Sequence, residues 1–180
     1  MKALVPIAYG SESLETVTLV NVLRRAGVRV TVASIEPELT VTGTRDIALT
    51  ADVLFKDVAA LAFDLIVLPG GEKGAENLGR HPGLIEKLRA QRVEKKWYGG
   101  ICAAPALALS PNGLLDGKQA TCYPAFKDKL LHYVEQPVVV DGHCVTSQGP
   151  ATSISFALKL VELLCGEDQS RLVAQALLVV

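Results

Sequence analysis

The feature that most constrains this chain is an alternation. Short runs of apolar, β-branched residues are separated by longer stretches in which apolar residues recur at helical spacing. Parallel strands need a crossover between them, so this pattern predicts an α/β fold with a mostly parallel sheet covered by helices. Residues 4–8, 28–33, 64–68 and 97–102 read as strands. Leu14, Val17, Val20, Leu23 and Ala26 place an apolar stripe on a first helix, which Gly27 ends. Further helices are expected near 74–78 and 83–91, and over 103–110, where Pro105 suits a first turn because it has no N–H to lose. Residues 41–54 alternate weakly and predict an edge hairpin or excursion. Residues 137–146 predict a second hairpin with Asp141-Gly142 at its turn. Amphipathic helices over 151–164 and 170–178 finish the chain.

With 49% of its 180 residues hydrophobic, the chain has the material for one core, and a single domain over residues 1–180 is expected. Cys102, Cys122, Cys144 and Cys165 lie far apart with no CxxC spacing and only three histidines, which argues against a zinc site and a disulfide framework. The formal charge of -1 offers no field to collect nucleic acid or anionic membrane, so a small molecule or a protein is the expected partner. The apolar stretch 3–8 is followed at once by Glu12 and Glu15 and reads as a buried strand rather than a signal peptide. No run approaches the roughly 20 apolar residues that span a bilayer, so a cytoplasmic protein is expected.

Chemistry concentrates at Cys102. Open parallel sheets bind ligands beyond the carboxyl ends of their strands, where strand-to-helix turns converge. Cys102 falls at such a turn, between Gly100 and Ala103-Ala104, small residues that permit a sharp elbow and an exposed sulfur. A helix N-terminus beyond the thiol would favour thiolate. The competing reading is a small buried hydrophobe, the usual state of a free cysteine. Glu15 likewise reads either as a partner of that site or as a first-turn acid that complements the helix dipole.

The blocks Gly10-Ser11-Glu12-Ser13-Leu14-Glu15-Thr16-Val17, Arg24-Arg25-Ala26-Gly27-Val28, Leu68-Pro69-Gly70-Gly71, Ile101-Cys102-Ala103-Ala104-Pro105, Phe126-Lys127-Asp128-Lys129 and Thr146-Ser147-Gln148-Gly149-Pro150 resemble the ThiJ/PfpI superfamily. Within it they are most similar to the branch of the parkinsonism-linked redox sensor and deglycase and its bacterial YajL-type relatives. The resemblance implies a flavodoxin-like, class I glutamine amidotransferase-like sandwich, a homodimer and no cofactor. It implies that Glu15 is held protonated as the partner of Cys102, and that the Gly71 and Ala103 N–H groups form an oxyanion pocket. Glu72 is expected to face solvent. Gly70, Tyr123, Arg45 and Arg25 are further binding candidates, the two arginines near a dimer-proximal pocket.

Departures narrow the function. The protease branch has a histidine directly after the cysteine, where this chain has Ala103; amidotransferases need a His-Glu pair that His81, His132 and His143 do not supply. Tyr123 stands where the human family member has a histidine. The expected function is a cysteine-dependent glyoxalase or protein deglycase acting on methylglyoxal or its early adducts, with an oxidation-sensitive thiol. The alternatives are a non-catalytic redox sensor or redox-regulated chaperone using the same cysteine, and a dimeric scaffold with a vestigial elbow.

Overall fold

The structure, a computed structural model, describes residues 1–179. In chain order its main elements are β1 (Lys2–Ile7), α1 (Ser13–Arg25), β2 (Arg29–Ser34), β3 (Thr40–Thr42), β4 (Ala48–Thr50), β5 (Val53–Leu54), α2 (Phe55–Val58), β6 (Leu65–Leu68), α3 (Glu72–Arg80), α4 (Pro82–Val93), β7 (Trp97–Ile101), β8 (Val138–Asp141), β9 (Cys144–Ser147), α5 (Ser153–Cys165) and α6 (Glu167–Ala176). Seven strands form one sheet in the order β5-β2-β1-β6-β7-β9-β8. All neighbours pair parallel except β8, which returns antiparallel to β9. This is the α/β sandwich expected from the sequence.

The central strands read as unbroken apolar runs because both of their faces are covered. Along β6, Ile66 and Leu68 pack with Leu78, Leu84 and Leu88 of α3 and α4, whereas Leu65 and Val67 pack with Leu19, Leu23, Phe156 and Leu160 of α1 and α5. Each fully buried aliphatic side chain contributes about 1.5–3 kcal/mol. These two layers hold the carboxyl ends of the strands in place.

Three details differ from the sequence reading. On α1 the buried residues are Ser13, Glu15, Thr16, Leu19, Val22 and Leu23, while Leu14 and Val17 are 54% and 57% exposed. An every-third-residue stripe drifts by about 60° per step on a helix of 3.6 residues per turn, so five such positions wind off any single face. Past Cys102 the chain forms a wide-turned π-helix, Pro105–Leu109, that runs into a 3₁₀ turn, Ser110–Asn112, in place of a regular α-helix. Such wide turns recur at functional sites. The weakly alternating stretch 41–54 divides in two: β3 and β4 form a separate antiparallel hairpin, and β5 joins the edge of the main sheet.

Candidate active site

Cys102 follows β7 directly, and its backbone is left-handed at φ 62. A side chain with a Cβ adopts that conformation at a cost, and the neighbourhood enforces it here. The Cys102 N–H donates to Ser147 O at 3.0 Å, and the Tyr123 N–H donates to Cys102 O at 2.8 Å. The strand is thereby stopped and the half-buried sulfur turned to the mouth of the sheet. The elbow read from small flanking residues is present.

Beside it, β6 ends in Gly70-Gly71, with Gly71 left-handed at φ 79. A methyl on Gly70 would lie 2.5 Å from Cys102 Cβ and 2.7 Å from Glu15 Oε2, so only glycine lets this backbone pass between the two. The Gly70 N–H donates to Glu15 Oε2 at 2.7 Å, while Glu15 Oε1 is buried with no hydrogen-bond partner. Glu15 enters from the first turn of α1 and is wholly buried. Its burial lifts the carboxyl from 4.5 to about 7; the Gly70 hydrogen bond and the neighbouring Cys102 thiol oppose that rise, and the Glu12 charge adds to it.

Cys102 departs from the expectation of a depressed thiol pKa. Burial pushes the thiol up to about 12, the charge of Glu15 adds to the rise, and the Gly71 and Ala103 N–H groups work against it. The dipole argument from sequence left out desolvation, which outweighs two backbone donors here. No cation is among the groups that shift either member of the pair. Cys102 and Glu15 therefore form a buried pair that holds a single negative charge more readily than two, with the proton distributed between sulfur and carboxyl.

The Gly71 and Ala103 N–H groups each draw the Cys102 pKa down, and the Gly70 N–H donates to Glu15 Oε2. Tyr123 is 44% exposed at the mouth. A methyl on Gly149 would lie 3.3 Å from the Tyr123 ring and 4.0 Å from Cys102 Sγ. Tyr123, Pro124, Gly149, Pro150 and Thr152 line a shallow cavity of about 190 Å³ there. Glu72 is exposed, as expected. Arg25 sits in the last turn of α1, bonded to Asn21 at 2.8 Å, and lines a groove of about 550 Å³ whose lining does not include Cys102 or Glu15. Arg45 stands at the exposed tip of the β3–β4 hairpin at φ 57.

Two participants escaped the sequence reading. Glu12 caps α1 and accepts from Leu14 N–H at 3.2 Å; its place just before the helix, three residues ahead of Glu15, was the available signal. Thr44 donates to Glu12 Oε2 at 2.8 Å from 32 positions away, and no local pattern announces such a contact. The histidines have plain structural roles or exposed positions: His81 caps α4, His143 packs on Trp97 at 4.9 Å, and His132 is exposed. Among the described residues no group of three His, Cys, Asp or Glu side chains is placed to hold a metal ion.

Comparison with known proteins finds relatives in sequence and in fold. The model of the DJ-1/PfpI family matches residues 1–163. Protein DJ-1 homolog A of Arabidopsis thaliana is 46% identical over 98% of this chain, which spans 45% of that relative's length. The Glutathione-independent glyoxalase DJR-1.2 of Caenorhabditis elegans is 35% identical over 89% of this chain and 86% of its own. The structure of oxidized Toxoplasma gondii DJ-1 superposes with a TM-score of 0.97 at 40% identity, covering 98% of this chain and 97% of the other. Alike in sequence and in fold along almost its whole length, the chain belongs to the DJ-1/PfpI family.

Proposed function

We propose that the protein is a cysteine-dependent glyoxalase or deglycase that converts methylglyoxal, or the early adducts it forms with thiols and amines, to lactate. The observation that carries this reading is the buried Glu15 carboxyl beside Cys102, with one oxygen on the Gly70 N–H and the other without a partner. A carboxyl brought to about 7 both accepts and donates a proton near neutrality, as acid–base catalysis requires. It makes a free thiolate unnecessary: the carboxylate takes the thiol proton as sulfur attacks. A relative that is itself a glutathione-independent glyoxalase supports the same chemistry.

Sulfur adds to the aldehyde carbon, a C–S bond forms, and the thiol proton passes to Glu15. The new alkoxide lies against the Gly71 and Ala103 N–H groups and receives that proton to give the hemithioacetal. Glu15 then removes the hydrogen on the former aldehyde carbon as the adjacent carbonyl becomes an enediolate, the hydroxyl proton passes between the two neighbouring oxygens, and Glu15 returns its proton to the adjacent carbon. The product is a lactoyl thioester, which water cleaves to lactate and free thiol. One carbon is oxidised at the expense of its neighbour, so no external electron carrier enters. Cys102→Ser should lower lactate formation at least about a thousandfold; turnover at the wild-type rate in that variant would remove the mechanism.

A second copy of the chain is part of the proposal. Leu14 and Val17 of α1 are exposed beside the groove between α1 and β4 that Arg24 and Arg25 also line, and an apolar surface of this kind is suited to self-association. Arg25 and, at the hairpin tip, Arg45 are assigned to that dimer-proximal region. A monomeric mass by light scattering at micromolar concentration would dismiss it. The cytoplasm is the compartment that suits four free cysteines.

One observation favours a second reading, redox sensing or redox-regulated chaperoning through the same thiol. Cys102 is half-buried at the mouth of the site, as Cys165 is at the end of α5, whereas Cys122 and Cys144 are at most 2% exposed; of the two half-buried thiols Cys102 alone has the Gly71 and Ala103 donors beside it. The Gly71 and Ala103 donors would equally hold the oxygens of a sulfinate. Mild peroxide should modify Cys102 before the other cysteines by mass spectrometry; simultaneous modification would count against this reading.

A further inference from the structure

The β3–β4 hairpin carries no group that reaches the sulfur, yet its tip is tied to the loop that leads into α1. The Gly10 N–H donates to Thr42 O at 2.8 Å and the Thr44 N–H to Ser11 O at 2.9 Å. Thr44 Oγ1 accepts from the Ser13 N–H at 3.3 Å and donates to Glu12 Oε2 at 2.8 Å, while Ser13 Oγ donates to Thr44 O at 3.3 Å. Approach this close needs Gly43, where a methyl would lie 2.6 Å from Ser13 Oγ and 2.8 Å from Ser11 O.

Glu12 continues the series inward. Its N–H donates to Gly70 O at 2.9 Å, and the Gly70 N–H is held by Glu15 Oε2 at 2.7 Å. The peptide groups around Gly70 are thus gripped from both sides, by the Glu12 N–H on the carbonyl and by the Glu15 carboxyl on the N–H, and the Thr44 hydroxyl holds the Glu12 side chain from the outside. Two consecutive residues after Thr44, Arg45 and Asp46, are left-handed at φ 57 although neither is glycine. Such strain persists where surrounding bonds impose it, and it gathers at functional sites.

We propose that Thr44 is a positioning residue for the reactive site, acting through Glu12 to fix the Gly70 peptide and with it the Glu15 carboxyl and the Gly71 N–H. This rests on the reading of Cys102 as a nucleophile. A hydroxyl bond to a carboxylate is charge-assisted and directional, which suits it to hold a donor and an acid–base group within the few tenths of an ångström that chemistry demands. The negative charge it orients is also one that favours the protonated form of Glu15.

The test is methylglyoxal turnover by Thr44→Val, Thr44→Ser, Glu12→Gln and the Thr44→Val/Glu12→Gln double variant, with Cys102→Ser alongside. Thr44→Val keeps the shape and removes the donor; it should lower kcat about tenfold and leave KM within about twofold. Thr44→Ser should restore kcat to within about threefold, and the double variant should lose no more than the worse single one, because Thr44→Val breaks the charge-assisted connection that Glu12→Gln weakens. A Thr44→Val variant with wild-type kcat, a serine that fails to rescue, or losses that multiply would overturn the proposal. If Thr44→Val proves too unstable to assay, Glu12→Gln decides alone: a kcat several-fold below wild type is expected, and an unchanged one overturns the proposal. Activity retained by Cys102→Ser would instead defeat the nucleophile reading itself, so the two failures are distinguishable.

Discussion

Cys102 and Cys144 lie at opposite ends of neighbouring strands: Cys144 opens β9 opposite Tyr98, and Cys102 follows the last residue of β7. Both thiols are pushed up to about 12, each chiefly by burial. Their surroundings give them different fates. Cys144 is 2% exposed, and the Tyr98 hydroxyl beside it is committed to Leu114 O at 2.8 Å. Cys102 stands at an opening, with a carboxyl raised to about 7 and two backbone N–H groups that draw its own pKa down. A raised thiol pKa therefore says little about reactivity by itself; what separates the two cysteines is a proton acceptor, an anion pocket and a way in.

The largest effect that would break this comparison is on turnover. Cys102→Ser should abolish it, by at least about a thousandfold, whereas Cys144→Ala should leave kcat within about threefold and cost about 1–2 kcal/mol of stability through lost packing. Comparable losses of activity would remove the distinction, and steady-state kinetics beside thermal unfolding measures both. Gly70→Ala comes next, because its methyl would meet Cys102 Cβ at 2.5 Å and Glu15 Oε2 at 2.7 Å. A tenfold or greater loss of kcat is expected, with destabilisation of about 1–3 kcal/mol.

A further difference shows in stability against pH. Glu15 has a folded-state value of about 7 against 4.5 when free, so between these values the folded chain binds more protons than the unfolded one and stability falls as pH rises. The cost is absent below about 4.5 and complete above about 7, where it amounts to about 3 kcal/mol. Glu15→Gln removes it, so the variant should gain on wild type in Tm from pH 5 to pH 8. A Tm difference that stays constant across that range would show that Glu15 carries no raised pKa.

The parts of this site were unequally legible in the sequence. Strands and the Cys102 elbow could be read because small residues and apolar runs are local signals, and the burial of both sheet faces follows from runs without alternation. Glu15 could be placed only through the family resemblance, since an acid in the first turn of a helix has an ordinary explanation. The outward face of α1 is hidden in the sequence because apolar residues spaced by three imitate a helical face while Leu14 and Val17 point outward. The ionisation of Cys102 was misread because a dipole is visible in a pattern and desolvation is not. Thr44 was invisible, because the bond it makes to Glu12 depends on how a hairpin folds back across the sheet end.

The most direct test of the shared proton is the pH dependence of iodoacetamide alkylation at Cys102 in wild type and in Glu15→Gln. With Glu15 as proton acceptor, wild-type alkylation should rise with a midpoint near the Glu15 value of about 7. The variant's rise should move to higher pH by more than about one unit, because the buried thiol must then ionise unaided. Identical profiles, or a variant that reacts at lower pH because a repelling charge has gone, would contradict the account.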